Sequence, residues 1–109
     1  YNCMGDNNPP CSIEDIHSVG EKSAGDGRWG HADLAGNVKE WTRDTWQFYP
    51  LMCRDCIIVG QPNAGSRVRR GGSYITNQTQ DPELYTYTRD YLDPKDRLFT
   101  TGVRCARDI

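Results

Sequence analysis

Apolar residues along this chain fall in short runs separated by turn-forming residues, and no run keeps a helical spacing over several turns. The first thirty residues are polar and turn-rich. Within them Ile13, Ile16 and Val19 form one short segment able to point inward, so the region reads as a lid or loop. Gly25-Asp26-Gly27 predicts a tight turn before Arg28-Trp29-Gly30. Asp33-Leu34-Ala35-Gly36 predicts a second turn, leading into an extended segment from Asn37 to Thr42. The stretch from Gln47 to Ser66 reads as a loop whose strand candidate is Cys56-Ile57-Ile58-Val59. From Arg67 to Ile75, β-branched and aromatic residues flank Gly71-Gly72, which predicts a short strand with a bulge or a close backbone approach. Leu84 to Tyr91 alternates Leu, Thr and Tyr with a period of two and closes at the turn Asp93-Pro94-Lys95-Asp96. Thr100 to Arg107 predicts a terminal strand.

Composition fits that picture. The chain has 109 residues, 36% hydrophobic, with 11 Gly and 6 Pro and a mean hydropathy of -0.80. This predicts one domain or a piece of one, with loops outweighing regular elements. The 13 basic and 15 acidic residues are interleaved and leave a formal charge of -2, so no single-sign field is available for a polyanion and nucleic-acid binding is not expected. No stretch of about 20 apolar residues exists to span a membrane. The sequence opens Tyr1-Asn2-Cys3, without an initiator methionine or an apolar leader, so a removed signal peptide or a missing N-terminal part is expected.

The five cysteines, Cys3, Cys11, Cys53, Cys56 and Cys105, point to an oxidising compartment, extracellular or periplasmic. Cys3, Cys11, Cys53 and Cys56 are the disulfide candidates: Cys53 and Cys56 are close enough to pair with each other or with the Cys3–Cys11 loop. Zinc is disfavoured, because Cys3 and Cys11 are too far apart for a ribbon knuckle and no second C-x-x-C accompanies Cys53-Cys56. A thioredoxin-like reading lacks the βαβ pattern. Cys105, in an apolar strand-like run, is left as the odd thiol.

The segment from Asp33 to Glu40 has the makings of an oxygen cage. Asp33 offers a carboxylate at a turn, Gly36-Asn37 lets the backbone fold back, and Gly36, Val38 and Glu40 place alternate groups on one side of an extended stretch. Two carboxylates with backbone carbonyls suit a hard cation such as calcium, which takes about 6–8 oxygens, better than zinc or copper. The competing reading has Asp33 capping a turn and Glu40 paired with an arginine such as Arg70 or Arg104. Arg67, Arg69, Arg70, Arg104 and Arg107 are expected to knit strands together through hydrogen bonds. Trp41 is expected in the core, and Tyr85, Tyr87 and Tyr91, alternating along one strand-like face, form a candidate binding surface. Asn77-Gln78-Thr79 is a glycosylation sequon.

Asp26-Gly27-Arg28-Trp29-Gly30, the run from Asp33 to Asp44, Arg70-Gly71-Gly72-Ser73-Tyr74 and Gly102-Val103-Arg104-Cys105-Ala106-Arg107 occur in an order that resembles the C-terminal half of the formylglycine-generating-enzyme, or sulfatase-modifying-factor, family. The cysteine-bearing insertions look like those of secreted bacterial members. The resemblance implies an irregular α+β fold of the C-type-lectin-like kind, disulfide-supported, with residues 1–109 forming the C-terminal part or a minimal version of the domain. It also implies calcium held by the Asp33 side chain, the carbonyls of Gly36 and Val38, and Glu40. A second cation site, built from an asparagine and the next carbonyl, would fall on Asn2 and Cys3.

The family's oxidase chemistry resembles copper held by a cysteine pair shortly before the terminal block. Here that region, Tyr85 to Tyr91, contains no cysteine, and threonine hydroxyls cannot replace the soft thiolates that select Cu(I). Lys39 stands where the family's pattern has a tryptophan. His17 and His31, the two histidines of the chain, cannot build a three-histidine iron site. The expectation is therefore a non-catalytic, calcium-stabilised binding or structural module, without copper or iron. Its partners would be a protein or glycan ligand, a second chain or missing N-terminal half, or copies of itself. The alternatives are a divergent formylglycine-generating oxidase, half of an active site completed by another chain, and a surface assembly subunit.

Overall fold

A computed structural model describes residues 11–50, 52–54, 56–60, 65–76 and 82–105. Asn2, Cys3, the sequon and Arg107 lie outside them.

The regular structure is one four-stranded sheet, built from β1 (Lys39–Thr45), β2 (Arg67–Arg70), β3 (Asp90–Leu92) and β4 (Thr101–Gly102) in the spatial order β3-β2-β1-β4. β1 and β2 are antiparallel, with Glu40 opposite Arg70 and Trp41 opposite Arg69; the register shifts before Thr45 meets Arg67. β2 and β3 are antiparallel, with Arg69 opposite Asp90, and β1 and β4 are parallel, with Lys39 beside Thr101 and Glu40 beside Gly102. Paired residues share a face and neighbours along a strand alternate. Lys39, Trp41, Arg69, Asp90 and Thr101 therefore belong to one face, and Glu40, Val68, Arg70 and Tyr91 to the other.

Turn residues set the approach to this sheet. Asp33, Gly36 and Asn37 have φ of 53°, 81° and 63°, a region glycine enters freely and Asp and Asn tolerate better than other side chains. The bend lets Gly36 N–H donate to the Gly71 carbonyl at 2.5 Å, while Tyr74 N–H donates to the Asn37 carbonyl at 2.7 Å. Two of the sequence blocks are thus tied together by backbone. The Asn37 side chain adds a clasp to the N-terminal loop, accepting from His17 N–H at 2.9 Å and donating to the His17 carbonyl at 3.1 Å.

Among the described residues the buried apolar side chains are Val68, which has no exposed surface, and Tyr74. The polar residues Asn37, Lys39, Arg69, Ser73 and Thr76 are buried with them. Phe48 and Met52, by contrast, are 91% and 92% exposed.

Several expectations need correction. The helical part of the α+β expectation is met, among the described residues, by 3-10 turns alone, at Ile13–Asp15, Ser23–Gly25 and Pro82–Leu84. Cys56 to Val59 is not a strand. Asp44 and Thr45 side chains and backbone intercept it, as Ile58 N–H donates to Asp44 Oδ1 and Thr45 N–H to the Ile58 carbonyl. The alternating Leu84–Tyr91 segment begins as a 3-10 turn and continues through turns closed by Tyr85 N–H to Pro82 and Thr88 N–H to Tyr85, so pairing starts only at Asp90. Period-two spacing was local coincidence without a partner strand. The terminal strand is two residues long, and Cys105 is free but exposed, beyond its end.

Candidate metal site

The bend and the sheet edge bring the four predicted cation ligands to one place. Asp33, Gly36, Val38 and Glu40 line a common cavity of about 320 Å³, together with Asn37, Gly102 and Arg104. Val38 closes against Gly102, where a Cβ would come 2.8 Å from a Val38 methyl, so the parallel contact between β1 and β4 requires glycine there.

The two carboxylates already have partners. Asp33 Oδ2 accepts from Gly20 N–H at 2.6 Å. Glu40 accepts from Arg104 Nε on both oxygens at 3.0 Å and from Nη2 at 2.7 Å. Arg104 Nη2 also reaches the Ala32 carbonyl at 2.6 Å and the Asp33 carbonyl at 3.4 Å. This is the pairing the competing sequence reading anticipated, with Arg104 rather than Arg70 as the cation. The Glu40 hydrogen bonds, and more weakly the Glu40 and Asp33 charges, raise the Arg104 pKa against the effect of burial. The donor set fits a hard cation in kind, two carboxylates and two carbonyls, but a cation can take Glu40 only by displacing the Arg104 guanidinium that lines the same cavity.

Across the sheet lies an ion network that sequence reasoning missed. Lys39 Nζ pairs with Glu83 and, at 2.9 Å, with Asp90; Arg69 Nη2 reaches the same Asp90 oxygen at 2.5 Å. Thr76 Oγ1 donates to Glu83 at 2.7 Å and accepts from Ser73 N–H at 2.9 Å, while Arg69 Nη1 reaches Thr101 at 2.6 Å. Two cations and two carboxylates therefore join β1, β2, β3, β4 and the Pro82–Leu84 turn. The available signal was Lys39 itself, a lysine between Val38 and Glu40 where the family's pattern has a tryptophan. Such a residue, when buried, needs carboxylate partners.

The aromatic candidates separate. Tyr85 and Tyr87 stand exposed in a turn with ring centroids 5.4 Å apart, whereas Tyr91 is on β3 and stacks on Trp46 at 4.6 Å. Trp41 is half-buried, not core, with the Arg69 guanidinium 5.8 Å from its ring centre. The described arginines of that set hydrogen-bond as expected: Arg70 donates to the carbonyls of Thr86 and Thr88, and Arg67 to that of Arg43. Cys53 and Cys56 form a disulfide with each other, and Cys11 is also disulfide-bonded.

Residues 9–109 match the family described as the sulfatase-modifying factor enzyme 1-like domain, and the chain belongs to it. Among individual proteins, it is 29% identical over 80 residues to the formylglycine-generating enzyme of Bos taurus, an alignment covering 73% of this chain and 21% of that protein. The Mus musculus formylglycine-generating enzyme gives the same identity over 80 residues, with 22% of its length covered. The chain thus spans about a fifth of the length of the curated relatives it matches. No solved structure matches it.

Proposed function

We propose that this chain is a non-catalytic, calcium-stabilised binding or structural module with a C-type-lectin-like fold, working in an extracellular or periplasmic setting. The observation that carries the reading is the cavity lined together by Asp33, Gly36, Val38 and Glu40. Calcium there would be held by the two carboxylates and two carbonyls with water completing its shell, and Arg104 would give up Glu40 on its entry. The non-catalytic part rests on Tyr85 to Tyr91, which offers no thiolate for copper. The disulfide-bonded Cys11, Cys53 and Cys56 support the oxidising compartment. The apolar side chains left exposed, Val19, Trp29, Phe48 and Met52 among them, support packing against the rest of a longer domain or a second chain.

The test is thermal melting of the oxidised chain with calcium or with a chelator, for the natural sequence, Glu40→Gln and Arg104→Met. Calcium at about 100 times its Kd contributes about 2.7 kcal/mol, a rise of several degrees for a domain of this size. Glu40→Gln abolishes the rise, and Arg104→Met, which frees Glu40, enlarges it. A melting temperature indifferent to millimolar calcium in both the natural sequence and Arg104→Met rejects the reading.

A further inference from the structure

The Cys53–Cys56 disulfide is exposed at both residues, with Cα atoms 5.7 Å apart. It lines a cavity of about 440 Å³ whose other walls include Tyr49, Asp44, Arg70 and Arg89. Both guanidiniums are held in place by neutral groups. Arg70 Nη1 donates to the carbonyls of Thr86 at 2.7 Å and Thr88 at 3.2 Å, and its Nη2 to Tyr49 Oη at 2.9 Å. Arg89 Nη2 donates to the Gln47 carbonyl at 2.7 Å, and its guanidinium lies 3.5 Å from the Tyr49 ring centre and 5.1 Å from that of Trp46. None of these partners is an anion. Asp44, which accepts from Ile58 N–H at 3.1 Å, is the single carboxylate among the described lining residues, so the described walls carry a net positive charge beside an exposed S–S bond.

A bridge between cysteines three residues apart is a weak staple. Closing so short a loop restricts the unfolded chain less than closing a longer one does. Exposed disulfides are also the labile ones, and fixed cations lower the cost of the thiolate that forms when the bond opens.

We propose that Cys53–Cys56 is a thiol–disulfide exchange site for a carboxylate-bearing low-molecular-mass thiol, seated against Arg70 and Arg89. The incoming thiol loses its proton to solvent and its thiolate attacks one sulfur of the pair. The Cys53–Cys56 bond breaks, a mixed disulfide forms, and the other cysteine leaves as a thiolate beside the guanidiniums. A second thiolate attacks the small-molecule sulfur of the mixed disulfide and releases the second cysteine. Two small thiols are oxidised to one disulfide, and Cys53 and Cys56 gain two electrons and take up two protons. The reverse reaction oxidises the pair. The site is independent of the calcium reading, since none of its residues lines that cavity.

The experiment reduces the oxidised full chain with mercaptopropionate, mercaptoethanol or cysteamine, an anionic, neutral and cationic series. Alkylation and mass spectrometry of the peptide holding Cys53 and Cys56 give each rate. The same series on the urea-unfolded chain supplies the intrinsic ratios. The folded chain should favour mercaptopropionate over mercaptoethanol by roughly threefold to tenfold relative to the unfolded chain, with cysteamine disfavoured. Arg89→Met should erase that preference and Arg89→Lys retain it. Identical ratios in folded and unfolded chains overturn the proposal, as does loss of circular-dichroism structure on reducing this pair. Should Arg89→Met not fold, the folded-to-unfolded comparison in the natural sequence decides alone.

Discussion

Replacing Lys39 with methionine tests whether the ion network carries the stability of the sheet. Methionine preserves most of the unbranched apolar stem and removes the ammonium. Lys39, with its side chain 11% exposed, now serves Glu83 and Asp90 together. After the change Asp90 keeps Arg69 at 2.5 Å and Glu83 keeps the Thr76 hydroxyl at 2.7 Å, while both carboxylates lose the Lys39 ammonium. Breaking a buried pair by removing one partner costs about 3–5 kcal/mol. Partial exposure of both carboxylates lets water relieve some of this, and we expect about 2–4 kcal/mol. With a urea slope of about 2 kcal/mol/M the midpoint should fall by roughly 1–2 M, a large part of a small domain's stability. Tryptophan fluorescence during urea titration follows the transition. Combining Lys39→Met with Glu83→Gln also removes one of the two carboxylates that lost the ammonium and should recover part of the loss. A shift under about 0.3 M for the single variant, or a double variant weaker than the single one by the full cost of Glu83→Gln alone, refutes this account.

Acid should weaken the same network. Burial pushes the Asp90 carboxyl up, but hydrogen bonds from Lys39 and Tyr91 N–H and the charges of Lys39 and Arg69 together hold it below its ordinary 3.8. A depressed carboxylate contributes stability that is present above that ordinary value and lost as pH falls through the folded one, so urea midpoints should decline below about pH 4 and the decline should be shallower in Asp90→Asn. Gly72 has φ of 67°, and a Cβ there would come 2.7 Å from Leu84 Cδ2; Gly72→Ala should cost about 1–3 kcal/mol by urea titration, against a near-zero cost at exposed Gly25, whose Cβ meets nothing within 4 Å.

What was legible in the sequence was whatever glycine and local order dictate. Gly36-Asn37 and Gly71-Gly72 mark positive-φ turns; the strand after Gly36-Asn37 formed within a few residues of its expected bounds, whereas the one expected from Arg67 to Ile75 stops at Arg70, because the glycine pair turns the chain out of the sheet. The four cage residues share a cavity because a turn followed by an extended segment cannot place them far apart. The partners that decide what those residues do lie elsewhere in the chain. Arg104 is 64 residues from Glu40, and Glu83 and Asp90 are 44 and 51 residues from Lys39. Alternation misled at Leu84–Tyr91, because a period of two describes a strand only when a neighbour accepts its hydrogen bonds, and Pro82 had already started a 3-10 turn.

The sheet sits on a very small apolar core, with Val68 and Tyr74 as its buried apolar side chains among the described residues. Fully burying a valine contributes about 1.5–3 kcal/mol, so this apolar burial favours one register by a modest margin. Charge pairing adds to it. A one-residue slip between β2 and β3 would turn Asp90 away from Arg69, and a slip between β1 and β2 would carry Lys39 off the face that holds Asp90. The lysine at position 39 thus specifies alignment as well as contributing stability. That also accounts for a charged residue at the centre of a sheet, where a hydrophobic one would bury at lower desolvation cost.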